Sequence, residues 1–140
     1  MTDDNSHPLA GLRCLIVEDE GLIAIDYEQM LRSAGADSVV SVGRLAGAYA
    51  VLASSAPFDL VFLDVDIDGE SSLPLARALT ADRVPIVIVT GLSGKTALPP
   101  DLQTLPRLEK PFDRRAMLAA CLTARRDSDE TAATPLLPSG

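Results

Sequence analysis

Short apolar runs recur along the chain, and their spacing is the feature that most restricts its fold. Each run has the length of a single strand, and most contain few polar residues. Such runs are typical of strands that are covered on both faces, as in parallel sheets. The predicted strands are residues 12–17, 38–42, 59–64, 85–90 and 107–109.

Helical patterns separate these strands. Residues 20–34 carry apolar side chains at helical spacing, and Gly35 closes that helix. Residues 45–54 are rich in alanine, and either Ser71 or Ser72 can cap a third helix. Strands that alternate with helices predict an α/β fold, in which a doubly wound five-stranded parallel sheet carries helices on both faces.

The last third of the sequence is less regular. Residues 91–106 contain two glycines and three prolines, which leave room only for a short, frayed or mobile helix. Residues 113–124 are predicted to form a final amphipathic helix. The polar ends are predicted to be a flexible leader (1–10) and a disordered tail (125–140), so the folded domain spans residues 11–124.

Composition argues against several functions. The formal net charge is −8, which opposes nonspecific binding to nucleic acid and to anionic membranes. No apolar run reaches the length of a membrane span, and the acidic N-terminus is unlike a secretory signal, so we expect a cytoplasmic protein. Cys14 and Cys121 lack metal-ligand spacing and are expected to be reduced and buried, whereas His7 is expected to be solvated.

Charged and polar residues follow the ends of the predicted strands. Glu18 and Asp19 follow the first, Asp64 ends the third, Thr90 ends the fourth and Lys110 follows the fifth. Ligands of doubly wound folds bind beyond the carboxyl ends of the strands, so all five residues are expected at one rim. Clustered carboxylates favour a cation such as Mg²⁺. A carboxylate can also attack phosphorus, and a lysine and a hydroxyl group would stabilise the transferring phosphoryl group.

In combination these residues resemble the response-regulator receiver domains, the CheY-like family of two-component signalling. The matching motifs are VED (17–19), FLD (62–64), IVIVTG (86–91) and EKPF (109–112), and the resemblance covers about residues 11–124. It implies the flavodoxin-like strand order 2-1-3-4-5. It also implies a single-domain response regulator that takes a phosphoryl group from the phosphohistidine of a sensor histidine kinase or of a histidine phosphotransfer protein.

The resemblance implies a metal site built from four residues. Asp64 is the phosphoacceptor and also a ligand of Mg²⁺. Asp19 binds the metal directly, Glu18 acts through water, and the backbone carbonyl of Asp66 completes the coordination.

The resemblance also implies contacts to the phosphoryl group. Thr90 and Lys110 touch it, and the Lys110–Pro111 peptide bond is cis. Asp66 and Leu92 flank it and tune the lifetime of the aspartyl phosphate.

The implied output is an interaction with an unknown downstream protein, without nucleic acid or membrane. The first helix is the implied surface for the kinase, and residues 91–124 are the implied surface for the target. The protein is then not an enzyme, apart from catalysing its own phosphorylation and dephosphorylation.

Three features depart from the usual family pattern, and one of them is the broken helix predicted after Thr90. The loop after Asp64 is short, and Arg107 stands where the family usually has an aromatic switch residue. PIVIVTG (85–91) and DVDIDGE (64–70) partly match the variant nicknamed FAT GUY, in which the fourth helix is short or mobile. We hypothesise from this likeness that phosphorylation orders residues 91–106.

Three alternatives stay open. DVDIDG (64–69) could be a calcium loop, although its twelfth position is Leu75 and not the required glutamate. The chain could be a phosphorylation-independent pseudo-receiver, which Arg107 keeps possible. It could also be a haloacid-dehalogenase-like phosphatase, although the Asp-x-Asp strand of that family comes first in the chain. The phosphatase would use Asp64, Asp66, Thr90 and Lys110.

Overall fold

The computed structural model describes residues 7–54, 56–91 and 98–133. Its strands, in chain order, are β1 (Arg13–Val17), β2 (Ser38–Val42), β3 (Leu60–Asp64), β4 (Asp66–Ile67), β5 (Glu70–Ser71), β6 (Ile86–Thr90) and β7 (Arg107–Glu109). Five of them form one parallel sheet in the order β2-β1-β3-β6-β7. Numbered along the chain, these five strands have the order 2-1-3-4-5, so the predicted doubly wound fold is confirmed.

Helices connect the strands of this sheet. Among the described residues, the α-helices are α1 (Gly21–Ser33), α2 (Leu45–Ser54), α3 (Leu73–Ala81) and α4 (Arg114–Ala133). Pro74 lies in the first turn of α3, where a missing N–H costs little because those donors have no partner within the helix. Within the same residues, no helix combines the length and the apolar character needed to cross a membrane.

Alternate side chains of each strand enter two separate cores. Cys14 and Ile16 of β1 pack with α1 and α4, whereas Leu15 and Val17 pack with α2 and α3. Every residue of β3 is buried, because this central strand is covered on both faces. Burying one such aliphatic side chain stabilises the fold by roughly 1.5–3 kcal/mol, so the continuous apolar runs fix the centre of the sheet.

Both ends of the folded domain extend beyond their predicted limits. Leu9 is fully buried and its N–H donates to the carbonyl of Ala34 at 2.9 Å, so the predicted flexible leader is wrong for residues 7–10. Helix α4 continues to Ala133, so the predicted disorder is wrong for residues 125–133. That segment is polar but contains neither glycine nor proline, and polar composition alone does not end a helix. The predictions for residues 1–6 and 134–140 fall outside the described residues.

The connection between β6 and β7 is partly described. Residues 92–97, including Leu92, lie outside the described residues, so the prediction of a short helix in residues 91–106 is only partly open to comparison. The rest of the connection contains one 3-10 turn at Pro100–Leu102. Leu98 and Leu102 are buried in the core that lies between the sheet and helices α2 and α3. The end of this connection is therefore attached to that core.

Candidate functional site

Three carboxylates meet at the carboxyl ends of β1 and β3. The N–H of Glu18 donates to the carbonyl of Val42 at 3.1 Å, which extends the β1–β2 pairing and carries Glu18 and Asp19 to the rim. Asp64 is the last residue of β3. One carboxylate oxygen from each of Glu18, Asp19 and Asp64 lies within 4.8 Å of the others. Glu18 and Asp64 are buried and Asp19 is exposed, so the cluster opens to solvent on one side.

Lys110, which directly follows β7, adds a positive charge to this cluster. Its N–H donates to the carbonyl of Thr90 at 2.9 Å, and its peptide bond to Pro111 is cis as expected. The Nζ atom lies 2.8 Å from Oδ2 of Asp64, in a hydrogen-bonded ion pair. It also lies 3.0 Å from Oε1 of Glu18, in an ion pair whose angles fall outside those of a hydrogen bond.

Burial and charge shift the protonation of this cluster. Burial raises the pKa of Glu18 to about 7, against the opposing effect of Lys110 and with a smaller contribution from Asp64. Burial lowers the pKa of Lys110, but its contacts with Asp64 and Glu18 raise that pKa by more. The Lys110 side chain therefore stays positively charged at neutral pH and partly offsets the charge of the two buried acids.

The donor set fits a hard divalent cation. Mg²⁺ takes carboxylate oxygens and keeps several waters, and the exposed side of the cluster gives it room to do so. Both oxygens of Glu18 have partners, since Oε1 pairs with Lys110 and Oε2 accepts the N–H of Glu20 at 3.1 Å. Both oxygens of Asp64 have partners as well, whereas Asp19 is exposed to solvent, so Asp19 is the best placed of the three to bind a metal directly.

A small hairpin that sequence analysis missed covers the cluster. Strands β4 and β5 pair antiparallel across the turn Asp68–Gly69, where both residues have positive φ angles of 55° and 85°. An Asp-Gly pair at a two-residue turn is a strong hairpin signal and could have been read from the sequence. The N–H of Asp68 donates to Oδ2 of Asp19 at 2.9 Å, and the N–H of Asp66 donates to Oδ1 of Asp64 at 3.2 Å.

Thr90 lies on the β6–β7 side of the rim, whereas Arg107 begins β7 and pairs with Ile88, two residues before Thr90. Thr90 is buried, and its hydroxyl group donates to the carbonyl of Leu108 at 3.4 Å, a long hydrogen bond. The predicted contact between this hydroxyl and a phosphoryl group stays a prediction. Arg107 is exposed on the edge strand β7, at the position where the family usually has an aromatic side chain.

Sequence reasoning also missed Tyr27 on α1. Its ring stacks on Phe112 at a centroid distance of 5.1 Å and lies 6.0 Å from the ring of Phe62. The Tyr27 hydroxyl is buried and has no hydrogen-bond partner among the described residues. Burial raises its pKa, so the phenol stays protonated at neutral pH. Its position in an apolar helical pattern gave no signal beyond that of a core residue.

The calcium-loop alternative is wrong. Leu75, which would occupy the twelfth position of the loop, is a buried core residue of α3 and has no side-chain carboxylate to offer. The segment also follows the central strand β3 and not a helix. The phosphatase alternative requires the Asp-x-Asp strand to be first, whereas β1 and β2 precede it here.

Three acids and a lysine lie at the carboxyl rim of this doubly wound sheet. Comparison with known proteins assigns the chain to a family, since the family model for the response regulator receiver domain matches residues 14–122. The chain belongs to this family. The solved structures it resembles include CheY-like receiver domains, such as one from Methylobacillus flagellatus with a TM-score of 0.69 and 23% identity, which covers 81% of this chain and 98% of that one.

Individual relatives support the same assignment. The solution structure of SdrG from Sphingomonas melonis Fr1 is 35% identical, has a TM-score of 0.71, and covers 82% of this chain and 96% of SdrG. The transcriptional regulatory protein PdtaR of Mycobacterium tuberculosis is 34% identical over 112 residues, which are 77% of this chain and 54% of PdtaR. Sensor protein TorS of Escherichia coli is 36% identical over 85 residues, which are 61% of this chain and 9% of TorS. The chain thus spans about half of PdtaR and a small part of TorS. The likeness to the FAT GUY variant stays a prediction.

Proposed function

We propose that this receiver domain accepts a phosphoryl group on Asp64 from the phosphohistidine of a sensor histidine kinase or of a histidine phosphotransfer protein. The observation that carries the proposal is the 2.8 Å contact between Lys110 Nζ and Asp64 Oδ2 beside two further carboxylates. A lysine this close to a buried carboxylate provides the positive charge that a phosphoryl group needs as it arrives. Signalling then proceeds by protein–protein interaction in the cytoplasm, and the domain turns over no substrate other than its own phosphoryl group.

The proposed transfer is a displacement at phosphorus. A carboxylate oxygen of Asp64 forms the new O–P bond, the P–N bond of the phosphohistidine breaks, and its electron pair leaves with the imidazole. Lys110 neutralises oxygens of the transferring group, and the N–H of Asp66 donates a hydrogen bond at the same carboxylate. Thr90 is proposed to turn its hydroxyl from Leu108 towards the phosphoryl group once the group is in place.

The acids at the rim are proposed to hold Mg²⁺. Asp19 and Asp64 would bind it directly, Glu18 through water, and the backbone carbonyl of Asp66 would add a fourth protein contact. When bound, the ion supplies positive charge that neutralises the phosphoryl oxygens.

The proposed kinase surface is the exposed side of α1. Leu22 and Ile25 lie one helical turn apart and are 85% and 50% exposed. Apolar side chains so close to Glu20 and the carboxylate rim could pack on a partner that carries the phosphohistidine.

The proposal is tested by incubating the protein with acetyl phosphate and Mg²⁺ and measuring the acid-stable, alkali-labile phosphorylated form. We expect one phosphoryl group per chain, lost in Asp64→Asn and in excess chelator. Repeated turnover of a generic phosphate ester would instead favour the phosphatase alternative. A folded protein that neither acetyl phosphate nor a panel of phosphorylated kinases can label would favour the pseudo-receiver.

A further inference from the structure

Ser72 occupies the start of α3 but does not act as a cap. A serine at this position usually accepts the N–H of the second or third helical residue. Ser72 makes no such bond. It has no exposed surface, and its hydroxyl instead donates to the backbone carbonyl of Asp64, with the carbonyl of Val65 at 3.2 Å.

Two carbonyls lie within reach of the Ser72 hydroxyl, and the distances show which of them accepts its hydrogen. A serine hydroxyl has a single hydrogen to donate. The carbonyl of Asp64 is closer to the hydroxyl than the carbonyl of Val65, which also accepts the N–H of Ser72 at 2.9 Å, so the hydroxyl hydrogen is assigned to the carbonyl of Asp64. The helix start is supported by other means, because the N–H of Leu73 donates to Oγ of Ser71 at 3.2 Å and Pro74 has no N–H.

These bonds close the loop that carries the acceptor. Ser72 lies at the far end of the loop, and its contacts tie that end back to the peptide units at the start. Between them, the hairpin pairs Asp66 with Ser71 and Ile67 with Glu70. The hydrogen bond from Ser72 orients the carbonyl of Asp64 and therefore the backbone that carries its carboxylate. The N–H groups of the loop donate to the carboxylates of Asp19 and Asp64.

We infer that Ser72 is a positioning residue for phosphorylation, whose hydroxyl holds the Asp64 peptide so that the carboxylate and the N–H groups of the loop face the same phosphoryl group. The inference rests on the proposed function and adds to it a buried hydroxyl that touches neither metal nor phosphoryl group. A displacement of reacting groups by a fraction of an ångström slows a reaction whose catalysis is largely positioning.

The test compares wild type with Ser72→Ala, Ser72→Thr and Asp113→Ala. Asp113 is the matched control, because its Oδ1 caps α4 in the usual way by accepting the N–H of Ala116 at 2.9 Å. The rate constant of phosphorylation is measured at saturating acetyl phosphate and Mg²⁺, together with Mg²⁺ affinity by calorimetry and the melting temperature. Losing one hydrogen bond should lower both the rate and the Mg²⁺ affinity of Ser72→Ala about three- to tenfold. Ser72→Thr keeps the hydroxyl and should have nearly the rate and the Mg²⁺ affinity of wild type. Asp113→Ala should have a lower melting temperature but an unchanged rate and Mg²⁺ affinity.

Each outcome decides the inference. A rate and an Mg²⁺ affinity in Ser72→Ala equal to those of wild type, or reduced no more than in Asp113→Ala, would overturn it. If Ser72→Ala does not fold, Ser72→Cys replaces it, with an intermediate rate and affinity expected from its weaker donor. Wild-type values in that variant would also overturn the inference. If wild type takes no label, the proposed function fails, and the Mg²⁺ titration of the same variants still decides the role of Ser72.

Discussion

Two connections begin at the carboxylate rim, one after β3 and one after β6, and they are held in different ways. The acceptor loop, Asp64–Ser72, is closed by buried hydrogen bonds and by a paired hairpin. The described end of the β6–β7 connection is held by the apolar side chains of Leu98 and Leu102 and by an ion pair on the surface. Hydrogen bonds have direction and are costly to leave unmade in a buried site, whereas apolar contacts and exposed ion pairs tolerate displacement.

We expect this difference to separate the proposed phosphorylation reaction from the conformational change that follows it. The side that carries the proposed nucleophile, Asp64, is set without any phosphoryl group, because both of its carboxylate oxygens already have donors. On the other side, Thr90 makes one long hydrogen bond, to the carbonyl of Leu108. A rearrangement that follows phosphorylation should therefore cost least at Thr90 and in the connection that follows it.

The largest expected effect comes from Lys110, which links the two sides. In Lys110→Ala the rate of phosphorylation by acetyl phosphate should fall about 100-fold, as for other variants that lose one electrostatic donor to a transferring group. The measurement is the labelling rate at saturating Mg²⁺. Arg107→Ala removes a positive charge from β7, the strand just before Lys110, without touching Asp64, and should label at the wild-type rate. If Lys110→Ala is phosphorylated at the wild-type rate, then Lys110 does not link the two sides of the site in the way proposed.

A smaller effect is expected when the hairpin turn is disturbed. Gly69 has φ of 85°, and an added Cβ would meet no atom within 4 Å, so Gly69→Ala tests backbone strain alone. The strain should reduce the free energy of unfolding by about 1–2 kcal/mol, measured by urea denaturation. Gly21→Ala is the control, because Gly21 has equal space without a positive φ and should be neutral or stabilising. Equal stabilities of the two variants would mean that the acceptor loop is less constrained than its bonds indicate.

The smallest effect is expected at the surface ion pair of the β6–β7 connection. Arg77 Nε lies 2.8 Å from Oδ2 of Asp101, and this hydrogen bond lowers the pKa of the Asp101 carboxyl. A lowered pKa in the folded state stabilises it above the unfolded pKa, and the contribution is lost as the pH falls through the lowered value. In Arg77→Ala the Asp101 pKa should rise in an NMR titration, while the urea midpoint at pH 7 should hardly move. A large loss of stability would mean that this connection is as firmly held as the acceptor loop.

The sequence predicted the sheet because its three central strands, β1, β3 and β6, are covered on both faces and therefore read as apolar runs. It also placed Glu18, Asp19, Asp64 and Lys110 together, since all four follow strand ends of a parallel sheet. Strands of two residues are too short to show periodicity, which is why the β4–β5 hairpin was missed although its Asp-Gly turn was visible.

Other features depend on contacts that no local pattern contains. Ser72 was one of two predicted caps, but the partner of its hydroxyl is a carbonyl eight residues earlier, brought near by the hairpin. The orientation of Thr90 depends on the neighbouring strand β7. The extension of α4 reflects the absence of glycine and proline, which the polar composition of the segment obscured.

The ammonium group of Lys110 serves as a resident counterion. Because it already offsets part of the charge of the two most buried acids, the cluster does not depend on a dissolved cation alone for its counter-charge. Folding and the proposed binding of Mg²⁺ can then be separate events, and the proposed phosphorylation would act on a chain that is already folded.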